Sequence, residues 1–233
     1  MTAETISVVM SVWNGAAYLR DAIDSILDQT YSPIELIVID DGSTDQTNAI
    51  IREYGSRVRL ITQSNSGQAA GLVAGIAAAS GQYLAFQDAD DTWAPNKLAR
   101  QHAALADARL EAVFCLSEQF VSPELPGAAS ISKRHTVMVG EQGACMLIRR
   151  SAFDRIGNFD QSSKTAFVEW LGRAKQRAFS YAVVDEVLHY RRLHPANFGR
   201  LFPEARDRSL LAALRQQIVR LKSRRAGKDD PLE

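Results

Sequence analysis

An α/β fold with a mostly parallel, twisted sheet flanked by helices is predicted by three features of this sequence. Short runs rich in β-branched or aromatic residues recur at positions 6–10, 34–39 and 83–86. Between them lie stretches with apolar residues at helical spacing, and each run ends in a polar turn. Strand, turn and helix in repetition is the pattern of βαβ units, in which a helix carries the chain back so that successive strands lie parallel.

The first run, Ile6-Ser-Val-Val-Met10, leads into Ser11-Val-Trp-Asn-Gly15 and then a helix over 16–28, where Leu19, Ile23, Ile26 and Leu27 share one face. The second run, Ile34-Glu-Leu-Ile-Val-Ile39, ends in Asp40-Asp41-Gly42-Ser43-Thr44-Asp45. Gly42 permits a tight turn, and Ser43, Thr44 or Asp45 is placed to cap a helix starting near Gln46. Asn65-Ser-Gly-Gln-Ala69 opens an Ala- and Gly-rich helix over 70–79, whose small residues allow close approach to a sheet. Tyr83-Leu-Ala-Phe86 is followed at once by Gln87 and then Asp88-Ala-Asp90-Asp91, with a helix beginning near Pro95. Residues 117–142 show no firm period and read as a loop. Residues 203–225 read as an amphipathic helix with Leu210, Leu214, Ile218 and Leu221 on one stripe and a basic remainder, and 226–233 as a disordered tail.

Three aspartates in four residues concentrate negative charge where the chain leaves the sheet. Carboxylates that close raise one another's pKa, so the cluster is costly without a cation. Hard oxygen donors favour Mg²⁺ or Mn²⁺; a solvated turn is the other reading of the same residues. Ligands of parallel sheets gather beyond the carboxyl ends of the strands, where three such polar turns would converge.

Ser7-Val-Val-Met-Ser-Val-Trp-Asn-Gly15, Tyr18-Leu19, Glu35-Leu-Ile-Val-Ile-Asp-Asp-Gly-Ser-Thr-Asp45, Asn65-Ser-Gly67 and Gly81-Gln-Tyr-Leu-Ala-Phe-Gln-Asp-Ala-Asp-Asp91 resemble the family 2 glycosyltransferases of the GT-A fold, with the DxD motif at Asp88 and Asp90. The likeness runs from about Ile6 to Asn197. It implies a single GT-A domain over 1–202, with a nucleotide-sugar half at about 5–110 and an acceptor half at about 111–202. It also implies an inverting transfer from a nucleotide sugar, UDP-linked, to a hydroxyl acceptor that is a saccharide, a lipid-linked molecule or a small molecule.

The resemblance places donor contacts at Ser11, Trp13, Asn14, Asp41, Asn65, Gly67, Asp88, Asp91 and Arg192, and metal ligands at Asp88, Asp90 and His194. Asp41 would accept a base N–H and Trp13 would stack on the ring; an ordinary core or interface aromatic is the other reading of Trp13. Asp40 reads as structural. Asp91 would contact the sugar or a bound water, or cap the helix near Pro95. Arg191 or Arg192 would offset diphosphate charge. Glu169, immediately before Trp170, matches the general base; burial beside the indole would raise its pKa toward the working range. A surface Glu on an amphipathic helix is the plainer reading. The chain departs from the family at Leu72, where relatives often carry an Arg, and at Val168, where they often carry a second carboxylate.

Composition agrees with a compact enzyme. The 233 residues suffice for one α/β domain, and 27 basic residues balance 27 acidic ones, so no overall field selects nucleic acid. No apolar stretch approaches the roughly 20 residues that span a bilayer, and residues 1–5 lack the basic and apolar parts of a signal peptide. Cys115 and Cys145 lie in apolar surroundings without metal-ligand spacing. A cytoplasmic enzyme is expected, with contact at the inner membrane face through the basic helix as an option. Two other readings stay open: a sugar nucleotidyltransferase, although the first turn lacks its basic phosphate loop, and a donor-binding protein that has lost catalysis.

Overall fold

A computed structural model describes residues 4–125 and 137–197. The four strands β1 (Ile6–Val12), β2 (Ile34–Asp40), β3 (Arg59–Thr62) and β4 (Tyr83–Asp88) lie parallel in the order β3-β2-β1-β4. The expected βαβ logic therefore governs the N-terminal half. Every residue of β1 is buried, as a central strand covered on both faces must be.

The helices cover the two faces. In α1 (Leu19–Leu27) the buried residues are Leu19, Ala22, Ile23 and Ile26, one stripe at helical period. They pack with Ile6, Val8, Met10 and Val12 of β1, together with α2 (Thr47–Glu53) and α4 (Lys97–Ala104). On the opposite face α3 (Gln68–Ala78) crosses β1 and β2. A Cβ at Gly71 would lie 2.2 Å from Ser11 Oγ, and one at Gly75 would lie 2.3 Å from Val9 Cγ1. The glycines thus set how closely this helix approaches the strands.

Beyond β4 the sheet becomes mixed. β8 (Leu147–Arg149) runs antiparallel to β4 and to β6 (Ala112–Val121), and β9 (Tyr181–Leu193) runs parallel to β6. β5 (Thr92–Trp93) and β7 (Val137–Val139) add antiparallel pairs to β9 and β6. Among the described residues the sheet has nine strands. Helices α5 (Arg150–Ile156) and α6 (Ala166–Lys175) close this half over an aromatic cluster of Phe86, Phe153, Phe159 and Trp170.

One expectation is corrected. Residues 117–121 belong to β6, and 137–139 pair with it, so part of the segment expected as a loop is strand. Its polar residues alternate without a clear period because strand pairing, rather than burial of one face, fixes them. The expected helix over 203–225 and tail over 226–233 lie outside the described residues.

Candidate active site

Polar turns gather at the carboxyl ends of β1, β2 and β4. Ser11 and Asp88 are register partners across β1 and β4, and Ser11, only 9% exposed, sits beneath the start of α3. The next turn is tied crosswise. Asn14, at φ 50°, receives the Thr44 N–H on Oδ1 at 2.8 Å and donates its own N–H to Ser43 Oγ at 2.9 Å. Trp13 is left 58% exposed, so the core-aromatic reading does not hold and a flat indole faces solvent beside this turn.

Asp40 and Asp41 are both buried. Asp40 receives the Ser43 N–H and the Asn48 amide, the structural role expected of it. Asp41 receives the Gln63 amide at 2.7 Å and the Ser66 N–H at 2.9 Å on Oδ1, and the Gly67 N–H at 2.8 Å on Oδ2. Its carboxylate therefore moulds the turn that starts α3. Gly67 stands at φ 91°, a conformation that suits glycine, and caps that helix. Asn65 is exposed, with its backbone packed against Gly42.

The acidic turn is enclosed by β9. Asp88 accepts the Gln68 amide at 2.8 Å. Asp90 Oδ2 lies 2.9 Å from His194 Nε2 and 3.2 Å from Asn197 Nδ2, joining residues over a hundred positions apart. Asp91 is 3% exposed; its Oδ1 accepts the Arg192 N–H at 2.8 Å and its Oδ2 lies 3.1 Å from His189 Nε2. The helix after it is α4, which begins at Lys97 with Asn96 as N-cap, so Asp91 does not cap it. Burial, then the mutual repulsion of the three carboxylates, pushes the Asp88 and Asp91 carboxyls up to about 7. Burial holds His189 down near about 4, so that ring is neutral.

Arg192 is committed elsewhere than expected. Its Nη2 donates to Asp21 of α1 at 2.7 Å and its Nε to the Asp90 carbonyl at 3.0 Å, and its guanidinium lies over the rings of Tyr18 and Phe120. Tyr18 also packs on His194 at 4.3 Å between centroids and donates its hydroxyl to Glu124. These contacts lock the end of β9 against α1. Arg191, the other candidate, pulls both the Asp88 and Asp91 carboxyls down, and Arg192 pulls down Asp91 as well, so both cations of the strand act on the acidic turn.

Glu169 makes local bonds: Ser163 Oγ and Thr165 Oγ1 both donate to its Oε1 at 2.8 Å. Trp170 turns away into the aromatic core, with Nε1 bonded to the Gly157 carbonyl, so it does not wall off this carboxylate as expected. The segment leading to α6 nevertheless faces α3: Gln161 lines a cleft of about 300 Å³ with Gln63, Ser66, Ala70, Val73 and Ala77. Leu72 packs into the core, and no side chain of α3 supplies the Arg common in relatives.

The donor set suits a hard divalent cation: two carboxylates on one turn, an imidazole already touching one of them, and a charge repulsion that a cation would relieve. Among the described residues, no three His, Cys, Asp or Glu side chains converge on one point. Sequence reading does not single out Gln68, Asn197 or Asp21, and it takes His189 as structural. The Gly67-Gln68 step at a helix start was the available signal for Gln68; the others depend on where β9 lies.

The model of glycosyl transferase family 2 matches residues 7–157. An uncharacterized glycosyltransferase of Rickettsia prowazekii is 32% identical over 208 residues, which cover 82% of this chain and 64% of the relative. One from Nostoc is 46% identical over 99 residues, 41% of this chain and 31% of the relative. Among solved structures, the mannosyltransferase PcManGT of Pyrobaculum calidifontis, in complex with GDP-Man and Mn²⁺, superposes with TM-score 0.74 at 20% identity, covering 94% of this chain and 65% of that one. S. aureus TarS in complex with UDP-GlcNAc gives TM-score 0.69 at 17% identity, over 83% of this chain and 60% of that one. These likenesses show the fold. The chain spans less than two thirds of the length of these relatives. Among the described residues no helix is long and apolar enough to cross a membrane.

Proposed function

The chain belongs to glycosyl transferase family 2, and from that premise we propose that it transfers a sugar from a nucleoside-diphosphate donor, UDP-linked, to a hydroxyl-bearing acceptor with inversion at the anomeric carbon. The observation that carries this reading is the meeting of Asp90, His194 and Asn197 at the end of β4, next to Asp88 and the turn moulded by Asp41. That arrangement supports a diphosphate site at the carboxyl edge of the parallel strands.

In this reading the exposed Trp13 ring stacks on the base, and Asp41 holds the Ser66–Gly67 backbone beneath the donor. Asp88, Asp90 and His194 would hold Mg²⁺ or Mn²⁺, which would supply neutralisation of the diphosphate's charge. Gln68 and Arg191 set the charge balance around Asp88. Glu169 takes the proton of the acceptor hydroxyl as its oxygen bonds to the anomeric carbon and the bond to the diphosphate breaks. The hydroxyls of Ser163 and Thr165 fix that carboxylate. Leu72 favours a second reading, a donor-binding protein without transfer, because the α3 cation of many relatives is missing.

A thermal-shift screen of nucleotide sugars with and without Mn²⁺ tests the proposal, since a ligand of the folded state raises its apparent stability. A Mn²⁺-dependent shift with one donor, together with nucleoside diphosphate release when acceptors are added, is the expected result. A shift without release on any acceptor supports the second reading, and no shift with any donor overturns both.

A further inference from the structure

His189 has no part in the chemistry just described, yet it is fully buried against the acidic turn. Two pairings fix its position. It stands opposite Trp93 across β5 and β9, and beside Ser117 across β6 and β9. Strand β5 follows Asp91 directly, so the turn and the ring are laced together within two residues. Ser117 Oγ lies 2.8 Å from His189 Nδ1, and the Gln142 amide donates to the same Ser117 oxygen at 3.3 Å. The Gln142 amide nitrogen, a donor, also lies 3.4 Å from Nδ1; with Gln142 and the Ser117 hydroxyl both turned to it, Nδ1 is assigned as the acceptor and the ring proton to Nε2.

That Nε2 lies 3.1 Å from Asp91 Oδ2, but off the line of a hydrogen bond, and among the described residues it has no other partner. A buried imidazole N–H without an acceptor is unusual and calls for a reason. Asp91 in turn is held on its other oxygen by the Arg192 N–H at 2.8 Å, so the carboxylate stands between the β9 backbone and the His189 ring with Oδ2 facing Nε2. Hydrogen bonds at reaction sites are often misaligned in the free protein and tighten in the complex.

We propose that His189 is a positioning residue for sugar transfer: fixed by Ser117, it engages Asp91 through Nε2 and so holds the Asp88–Asp91 turn in the orientation that receives the donor. Asp91 then touches neither sugar nor metal; it transmits the placement of β9 to the two acids beside it. Partners of this kind orient ligand-bearing side chains elsewhere, and their loss weakens metal affinity by roughly 10-fold to 100-fold. The inference rests on the donor-binding reading above.

The test compares wild type with His189→Ala, His189→Gln and His189→Asn in full-length protein, by Mn²⁺ titration of the thermal shift given by UDP, and of donor hydrolysis where it is measurable. Gln carries its amide N–H to the place of Nε2, whereas Asn reaches only the place of Nδ1. His189→Ala and His189→Asn should raise the half-saturating Mn²⁺ concentration by roughly 10-fold or more, and His189→Gln should stay within about 3-fold of wild type. A packing role would affect melting temperature alike in Gln and Asn and leave Mn²⁺ half-saturation unchanged. Equal half-saturation in all four proteins, or equal loss in Gln and Asn, overturns the inference. Should the His189 variants not fold, Ser117→Ala must shift half-saturation in the same direction, and an unchanged value there overturns it too. Wild type that shows no Mn²⁺-dependent response to any nucleoside diphosphate overturns the functional reading itself.

Discussion

At the scale of single residues, neighbouring carboxylates of one type do different work because their partners differ. Asp90 faces His194 and Asn197, with 35% of its side chain exposed. Asp90→Asn keeps the shape and removes the charge, so UDP binding measured by calorimetry with Mn²⁺ should weaken at least 10-fold; unchanged metal-dependent binding would remove Asp90 from the metal site. Asp41 receives three N–H groups in a buried position. Asp41→Ala should therefore destabilise the fold by about 2–3 kcal/mol in urea unfolding, in addition to any loss of donor affinity. This differs from the reading in which only Asp40 is structural. Glu169→Gln is nearly isosteric, and it should leave the donor-induced thermal shift intact while transfer falls about 100-fold. Transfer at the wild-type rate would move the base to another carboxylate, with Asp160 and Asp185 the next to test.

At the scale of elements, α3 shows how small residues place a site. Its N-terminal turn is moulded by Asp41, its first residue bonds Asp88, and Gly71 and Gly75 let it lie directly on Ser11 and Val9. Gly75→Ala would put a methyl 2.3 Å from Val9 Cγ1 in a packed interior, so the helix must move away. A destabilisation of about 1–3 kcal/mol in chemical denaturation is expected, and stability equal to wild type would show that the helix is free to shift. The contribution of α3 was legible in the Ala and Gly content of 70–79, as was the stripe of α1. By contrast, β9 is thirteen residues long, and neither its length nor its partners could be read from periodicity. Its burial alternates only in part, because it pairs with β6 and β5 on its two edges and carries the site's polar residues at its end. The same pairing with β6 made strand of residues 117–121, which looked like loop.

At the scale of the whole molecule, the acidic turn makes stability depend on pH and on metal. The carboxyls of Asp88 and Asp91 stand at about 7 in the folded protein, against an ordinary 3.8. Between about pH 4 and pH 7 the folded state thus holds more protons than the unfolded chain, and stability falls as pH rises through that window. Buried His189, lowered to about 4, works in the opposite sense below about pH 6.5, one imidazole against two carboxyls. In chelator the melting temperature should drop from about pH 6 to about pH 8, and Mn²⁺ should restore much of the loss at the upper end. A melting temperature that rises over that range would show that the carboxylates are not in conflict. The sequence by itself determined the parallel half: strand periods, glycine turns and acidic strand ends are local signals, each readable within ten residues. Resemblance to a family implied one site for Asp88, Asp90 and His194, of which the structure brings Asp90 and His194 into contact. Only the tertiary structure decided which arginine is spent on Asp21 and that His189 stands behind Asp91. Those outcomes depend on the register of β9 against β5 and β6, and register is set by contacts between residues far apart in the chain, which no local pattern encodes.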